Sequence, residues 1–128
     1  MMCRYAAGRM QFGKPLADKQ SIQWLIADTA TDVEALRSLI YRTAWMVDTG
    51  RPYTREAGMC KLYGYEVASR AVNRAIQVHG ALGYNRDFPL ERMWRDARIA
   101  EIFEGTNEIQ RIVIAEQVLR PYGVRVRA

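Results

Sequence analysis

The sequence predicts an all-α protein, an antiparallel four-helix bundle. Three observations lead there. Apolar residues recur at steps near 3 and 4, no apolar–polar alternation persists over more than a few residues, and the four Pro and most of the nine Gly fall between the periodic segments. The 128 residues suit one domain spanning positions 1–128.

The first periodic stretch runs from Leu16 to Val47, with Ile22, Ile26, Thr29, Val33, Leu36, Ile40, Ala44 and Val47 forming one stripe of a long amphipathic helix. Thr49-Gly50-Arg51-Pro52 ends it, because Gly accepts positive φ and Pro cannot continue the hydrogen-bond ladder. A second helix opens at Thr54, with Glu56 favourable in its first turn. Its inward positions, Cys60, Gly64, Val67, Ala71, Ala75 and Val78, are mostly small and let another helix approach closely. Gly80-Ala81-Leu82-Gly83 closes it. Pro89 suits the first turn of a short third helix over Leu90–Ile102. Gly105 breaks the chain again, and Thr106 caps a last helix carrying Ile109, Ile112, Val113 and Leu119. Pro121 stops that helix, and Arg125 and Arg127 fall in a fraying tail. Met2 to Gly8 read as the last turns of a helix whose beginning is missing, which points to a truncated chain.

Lys and Arg number 19 against 14 Asp and Glu, a formal charge of +5. No aromatic-interleaved basic helix accompanies that charge, so no nucleic-acid partner is expected. No apolar run approaches the ~20 residues that span a bilayer, so no membrane partner is expected either. Cys3 and Cys60 stand at no spacing that suggests a metal site or a disulfide, consistent with a reducing, cytoplasmic setting. His79 is the lone histidine and lacks ligand partners; a structural role is expected and no metal site. The six Met, with Trp24, Trp45 and Trp94, fit core or interface packing.

Three segments offer chemistry. In Arg9-Met10-Gln11-Phe12-Gly13-Lys14-Pro15-Leu16, an Arg beside backbone bared by Gly can hold a pyrophosphate, and a Phe can flank an adenine ring. An ordinary helix-to-helix turn would use similar residues. Gln77-Val78-His79-Gly80-Ala81-Leu82-Gly83-Tyr84 spends two glycines where a helix stop needs one, so a ligand could approach that backbone closely. No strand precedes them, so they are no dinucleotide fingerprint. Phe103-Glu104-Gly105-Thr106 puts a carboxylate just before a helix. It is either a solvated acid complementing the helix dipole or a general base on a loop, with Gly105 giving a substrate room.

Taken together, these segments resemble the C-terminal helical domain of the acyl-CoA dehydrogenase family, from Arg4 to Arg120. The most specific part is Gln77-x-x-Gly80-Ala81-x-Gly83-Tyr84-x-x-Asp87-x4-Arg92-x3-Asp96, followed by Phe103-Glu104-Gly105-Thr106-Asn107-Glu108-Ile109-Gln110-Arg111. Ala81 departs from the pattern, where Gly or Ser is usual. The resemblance implies FAD held between subunits of a homo-oligomer, a dimer or tetramer. Arg9, Phe12 and Gln20 would contact its adenosine and pyrophosphate across the interface, and Gln77, Val78, His79, Gly80 and Ala81 would contact the same FAD in the neighbouring chain. Thr106, Asn107 and Glu108 would lie against FAD near the active site. Glu104 matches the catalytic base and Gly105 the backbone beside the bound thioester.

The implied reaction is α,β-dehydrogenation of an acyl-CoA, with electron-transferring flavoprotein or another acceptor downstream. Family enzymes also carry an N-terminal helical domain and a middle β-domain, neither found here, so an isolated chain is expected to be inactive. The competing expectation is a non-catalytic helical module that retains the oligomer surface and binds no flavin.

Overall fold

A computed structural model describes residues 1–126; Arg127 of the expected tail lies outside the described residues. The helices are α1 (Met2–Gly8), α2 (Gln20–Asp48), α3 (Thr54–His79), α4 (Ala81–Tyr84), α5 (Pro89–Ala100) and α6 (Asn107–Leu119). The four long ones make the all-α bundle that the periodicity implies. Glycine and proline mark its joints: Gly50 and Gly80 take positive φ after α2 and α3, and Pro89 is the first residue of α5. The Thr106 hydroxyl accepts a hydrogen bond from the Ile109 N–H at 3.3 Å and caps α6.

Three details differ from the sequence expectation. Residues Leu16–Asp18 form a 3-10 turn, so the first long helix begins only at Gln20. The segment after Arg9, for which a ligand-binding turn and an ordinary helix-to-helix turn are both open readings, is a hairpin of strands β1 (Met10–Gln11) and β2 (Lys14–Pro15), pairing Met10 with Pro15 and Gln11 with Lys14. The closing glycines of α3 include one further turn of helix, α4.

Helix α3 is the hub. Helices α2, α5 and α6 each pack chiefly on it, and α1 and α4 cover its C-terminal end. Its small residues permit this. A Cβ on Gly58 would sit 3.2 Å from Ile114 Cγ1 of α6, and one on Gly64 would sit 3.7 Å from Leu36 of α2. The face that α2 turns to α3 is the half-buried or buried series Ile22, Leu25, Thr29, Asp32, Leu36, Leu39, Thr43 and Met46. The expected stripe is therefore wrong in its second half. Val33, Ile40, Ala44 and Val47 are exposed because Asp32 and Thr43, polar by type, take the seam. Thr43 manages this by donating to Leu39 O at 2.8 Å and meeting Cys60 Sγ at 3.2 Å. The three tryptophans are not core residues; each is about half exposed, and Arg51 stacks on Trp45 at 4.5 Å. The core is thin, made chiefly of Ala, Val and Leu.

The described helices include none long and apolar enough to cross a membrane.

Candidate functional site

The structure gathers the sequence candidates into two places. The first is a cleft of about 280 Å³ where α1, the hairpin and the end of α3 meet, lined among others by Arg9, Gln11, Gln77, Val78, His79, Gly80 and Ala81. The Arg9 backbone is fixed at the hairpin base: its N–H donates to Tyr5 O at 2.9 Å and its carbonyl accepts from Leu16 N–H at 2.7 Å. Its guanidinium has no carboxylate partner among the described residues. Gly80 adopts φ +60°, and no heavy atom lies within 4 Å of where a Cβ would stand. A free guanidinium and the exposed Gln77 carboxamide supply the donors a pyrophosphate requires, and the open space at Gly80 lets a ligand approach them.

Two cleft residues contribute differently from what their side chains suggest. His79 is buried: its ring stacks on Tyr5 with centroids 4.2 Å apart, and its Nδ1 lies 2.7 Å from Ala75 O. Val78 is buried as well. These two residues form the cleft's wall, and the His79 carbonyl already accepts from the Tyr5 hydroxyl at 3.4 Å. Gln20, the first residue of α2, is exposed and does not line the cleft. Phe12 stands at the hairpin tip, 92 % exposed, with Lys19 Nζ 5.7 Å from its ring centre. Phe12 and Gly13, at φ +52° and +74°, are the pair of left-handed residues that a tight type I′ hairpin demands.

The second place is the loop between α5 and α6. Glu104 has φ +48° and Gly105 φ +76°. Among the described residues Phe12 and Glu104 are the non-glycine residues with positive φ. A β-carbon in that region costs on the order of 1–2 kcal/mol, and such strain concentrates at functional positions. Glu104 is exposed. The loop around it is held from beneath. Lys61 Nζ donates to Gly105 O at 2.5 Å and Phe103 O at 3.3 Å, and Gln110 Nε2 donates to Gly105 O at 3.2 Å. Glu101, at the loop's start, is pinned by Ser69 Oγ at 2.5 Å and Arg98 Nη1 at 2.7 Å.

At the start of α6, Asn107 is buried and its Oδ1 has no hydrogen-bond partner. The Glu108 backbone N–H and then the Thr106 hydroxyl hold the exposed Glu108 carboxyl below the usual range. The two places lie at different levels of α3. At 1.5 Å per residue, Lys61 and Gln77 are separated by roughly 24 Å.

The sequence carries no sign of Lys61, and Gln11 and Gln110 stand in the quoted segments without a role of their own. Nothing local marks Lys61, since the carbonyls it serves are 42 and 44 residues away.

Residues 1–119 match the family described as acyl-CoA dehydrogenase, C-terminal domain. The chain is 51 % identical over 117 residues to the acryloyl-CoA reductase (NADH) of Anaerotignum propionicum, covering 91 % of this chain and 30 % of that protein. It is 48 % identical over 118 residues to the mitochondrial short-chain specific acyl-CoA dehydrogenase of Homo sapiens, covering 92 % and 29 %. The solved structure of butyryl-CoA dehydrogenase from Megasphaera elsdenii superposes with a TM-score of 0.90 at 40 % identity, over 93 % of this chain and 31 % of that one. An FAD complex of PigA superposes with a TM-score of 0.87 at 32 % identity, over 91 % and 30 %. The chain thus spans about 30 % of the length of the relatives it matches.

Proposed function

Because this chain belongs to the acyl-CoA dehydrogenase family, as its C-terminal domain, we propose that it supplies two separate parts of an FAD-dependent acyl-CoA dehydrogenase site. The cleft of Arg9, Gln77, Gly80 and Ala81 holds the adenosine pyrophosphate of FAD, with Phe12 as a platform and Gln20 at the margin. Val78 and His79 form the wall of that cleft. Glu104 is the base, Gly105 leaves room for the thioester, and Thr106, Asn107 and Glu108 border the flavin near it.

The observation that carries this reading is the backbone of Glu104. The chain spends conformational energy to hold a carboxylate, of all side chains, in a left-handed loop against its central helix. That matches a group that must stand at a fixed distance from a reacting carbon.

The Glu104 carboxylate takes the proton from the α-carbon of the acyl thioester, and the electron pair of that C–H bond becomes the new Cα=Cβ bond. FAD, when bound, accepts the hydride that leaves the β-carbon. In reverse, the Glu104 carboxyl returns a proton to Cα, so the same residues serve reduction; a reductase stands among the relatives. Since Glu104 is exposed in this chain, the water exclusion that strengthens a base has to come from surfaces other than its own.

The roughly 24 Å along α3 between Lys61, beneath the loop, and Gln77, at the cleft, supports a second element of the proposal. One chain's cleft and another chain's Glu104 serve one flavin in a dimer or tetramer. The surface is consistent with such packing. The chain exposes 8989 Å², whereas a compact monomer of its mass exposes roughly 6,900 Å². The excess of about 2,000 Å² is the scale of a protein interface. Electron-transferring flavoprotein or another acceptor would then reoxidise the flavin.

The test is Glu104→Gln in flavin-loaded enzyme containing this chain. Flavin absorbance is retained and turnover falls by at least 10³-fold. Full turnover in that variant removes Glu104 from the mechanism, and an enzyme containing this chain that assembles yet never takes up flavin refutes the cofactor assignment.

A further inference from the structure

We propose that Lys61 is a positioning residue that sets the conformation of the Glu104 loop. This rests on the assignment of Glu104 as the base. The carbonyls of Phe103 and Gly105 bracket Glu104, and both accept hydrogen bonds from the same ammonium, at 3.3 and 2.5 Å. With one ammonium 3.3 and 2.5 Å from them, the two oxygens stand no more than about 5.8 Å apart, closer than the roughly 6.6 Å between alternate carbonyls of an extended chain, so the chain must be compacted between them. Consecutive left-handed residues, Glu104 at φ +48° and Gly105 at φ +76°, produce that compaction.

Lysine suits the task because its three N–H bonds radiate from one compact charge. Its stem rises from α3, the helix on which the rest of the bundle packs, so the loop is referenced to the most constrained element available. The ammonium also sits 4.8 Å from the Tyr65 ring centre, which fixes the side chain's path, and Tyr65 in turn lies 6.3 Å from the Phe103 ring. Gln110 reaches only one of the two carbonyls, so it cannot replace the bridge. Without the ammonium, the left-handed Glu104 has no counterweight and relaxes, carrying the carboxylate away from its working position.

The experiment compares Lys61→Met, which keeps the stem and removes the charge, with Lys61→Arg. In this chain, amide exchange by NMR is expected to quicken at least tenfold in Lys61→Met at Asn107, whose N–H closes the loop on Glu101 O at 3.0 Å. Exchange in α3 and the melting temperature stay unchanged, and Lys61→Arg recovers most of the protection. Unchanged loop exchange, or loosening of the whole bundle, overturns the proposal. In flavin-loaded enzyme containing the chain, Lys61→Met lowers kcat by about 10–100-fold with KM for the acyl thioester within twofold, the size expected for a misplaced catalytic group. An unchanged kcat overturns it. A fully active Glu104→Gln measured alongside would instead refute the base assignment, and the exchange rates alone would then decide whether Lys61 holds the loop.

Discussion

Asp32 offers the most direct quantitative test of how the bundle is held. It sits in the α2–α3 seam, where Arg70 approaches Oδ1 at 3.0 Å and Oδ2 at 3.1 Å, and Arg74 donates to Oδ2 at 2.7 Å. Those hydrogen bonds, Arg70's first and Arg74's next, hold the carboxyl at about 2 against an ordinary 3.8. A group whose folded pKa is depressed stabilises the fold above its unfolded pKa. That stability is lost as pH falls through the folded value, so the window is pH 4 down to pH 2. Nearly two pH units, at 1.36 kcal/mol each, make about 2 kcal/mol. With an unfolding entropy of about 0.27 kcal/mol/K for a chain this long, Asp32→Asn should lower the melting temperature at pH 6 by roughly 8 °C.

The assay is urea unfolding followed by circular dichroism for both proteins at pH 6, 4, 3 and 2. Wild type also loses stability through other carboxylates. Glu56 is one: burial pushes its carboxyl up, but hydrogen bonding from Arg55 and the nearby charges leave it below its usual value. The difference between the two proteins isolates Asp32. It should be about 2 kcal/mol at pH 6 and shrink toward zero at pH 2. A gap that stays constant across that range would refute the reasoning, since the loss would then come from packing and not from charge.

Two further substitutions separate strain from function. Phe12→Asn should stabilise the chain by about 0.5–1 kcal/mol, since Asn tolerates positive φ and the exposed ring packs on little beyond Lys19, while weakening flavin binding at least tenfold; calorimetry and flavin titration read the two effects. Gly83→Ala should cost about 1–3 kcal/mol in urea unfolding, because the new methyl would stand 3.0 Å from Ile76 Cα and 3.1 Å from Ile76 O, backbone atoms of α3 that cannot yield.

Both substitutions fall where the local sequence gave different amounts of warning. Gly83 was visible as a surplus glycine after a helix, yet its neighbour is Ile76, and only the return of α4 onto α3 brings them together. Phe12 and Glu104 were singled out by residue type and order. Their shared left-handed backbone was not readable, since Phe and Glu prefer other conformations and the surrounding hydrogen bonds impose this one. The Asp32 seam was misread for a related reason. Apolar type suggested Val33, Ile40, Ala44 and Val47 as the inward face, whereas Asp32 goes inward because Arg70 and Arg74, 38 and 42 residues later, neutralise it.

Sequence alone determined the helical class, the joints between helices and the segments that carry chemistry. Those depend on residues a few positions apart: the 3–4 spacing of apolar side chains, glycine's tolerance of positive φ, proline's missing N–H and the Thr106 cap. Tertiary structure decided which face of α2 is hidden, that α3 is the common partner, that Arg9 shares a cleft with Gln77 and Gly80, and that Lys61 grips the loop of Glu104. Each of these needs groups dozens of residues apart to meet. Such meetings are set by how the helices pack on one another, which local periodicity does not encode.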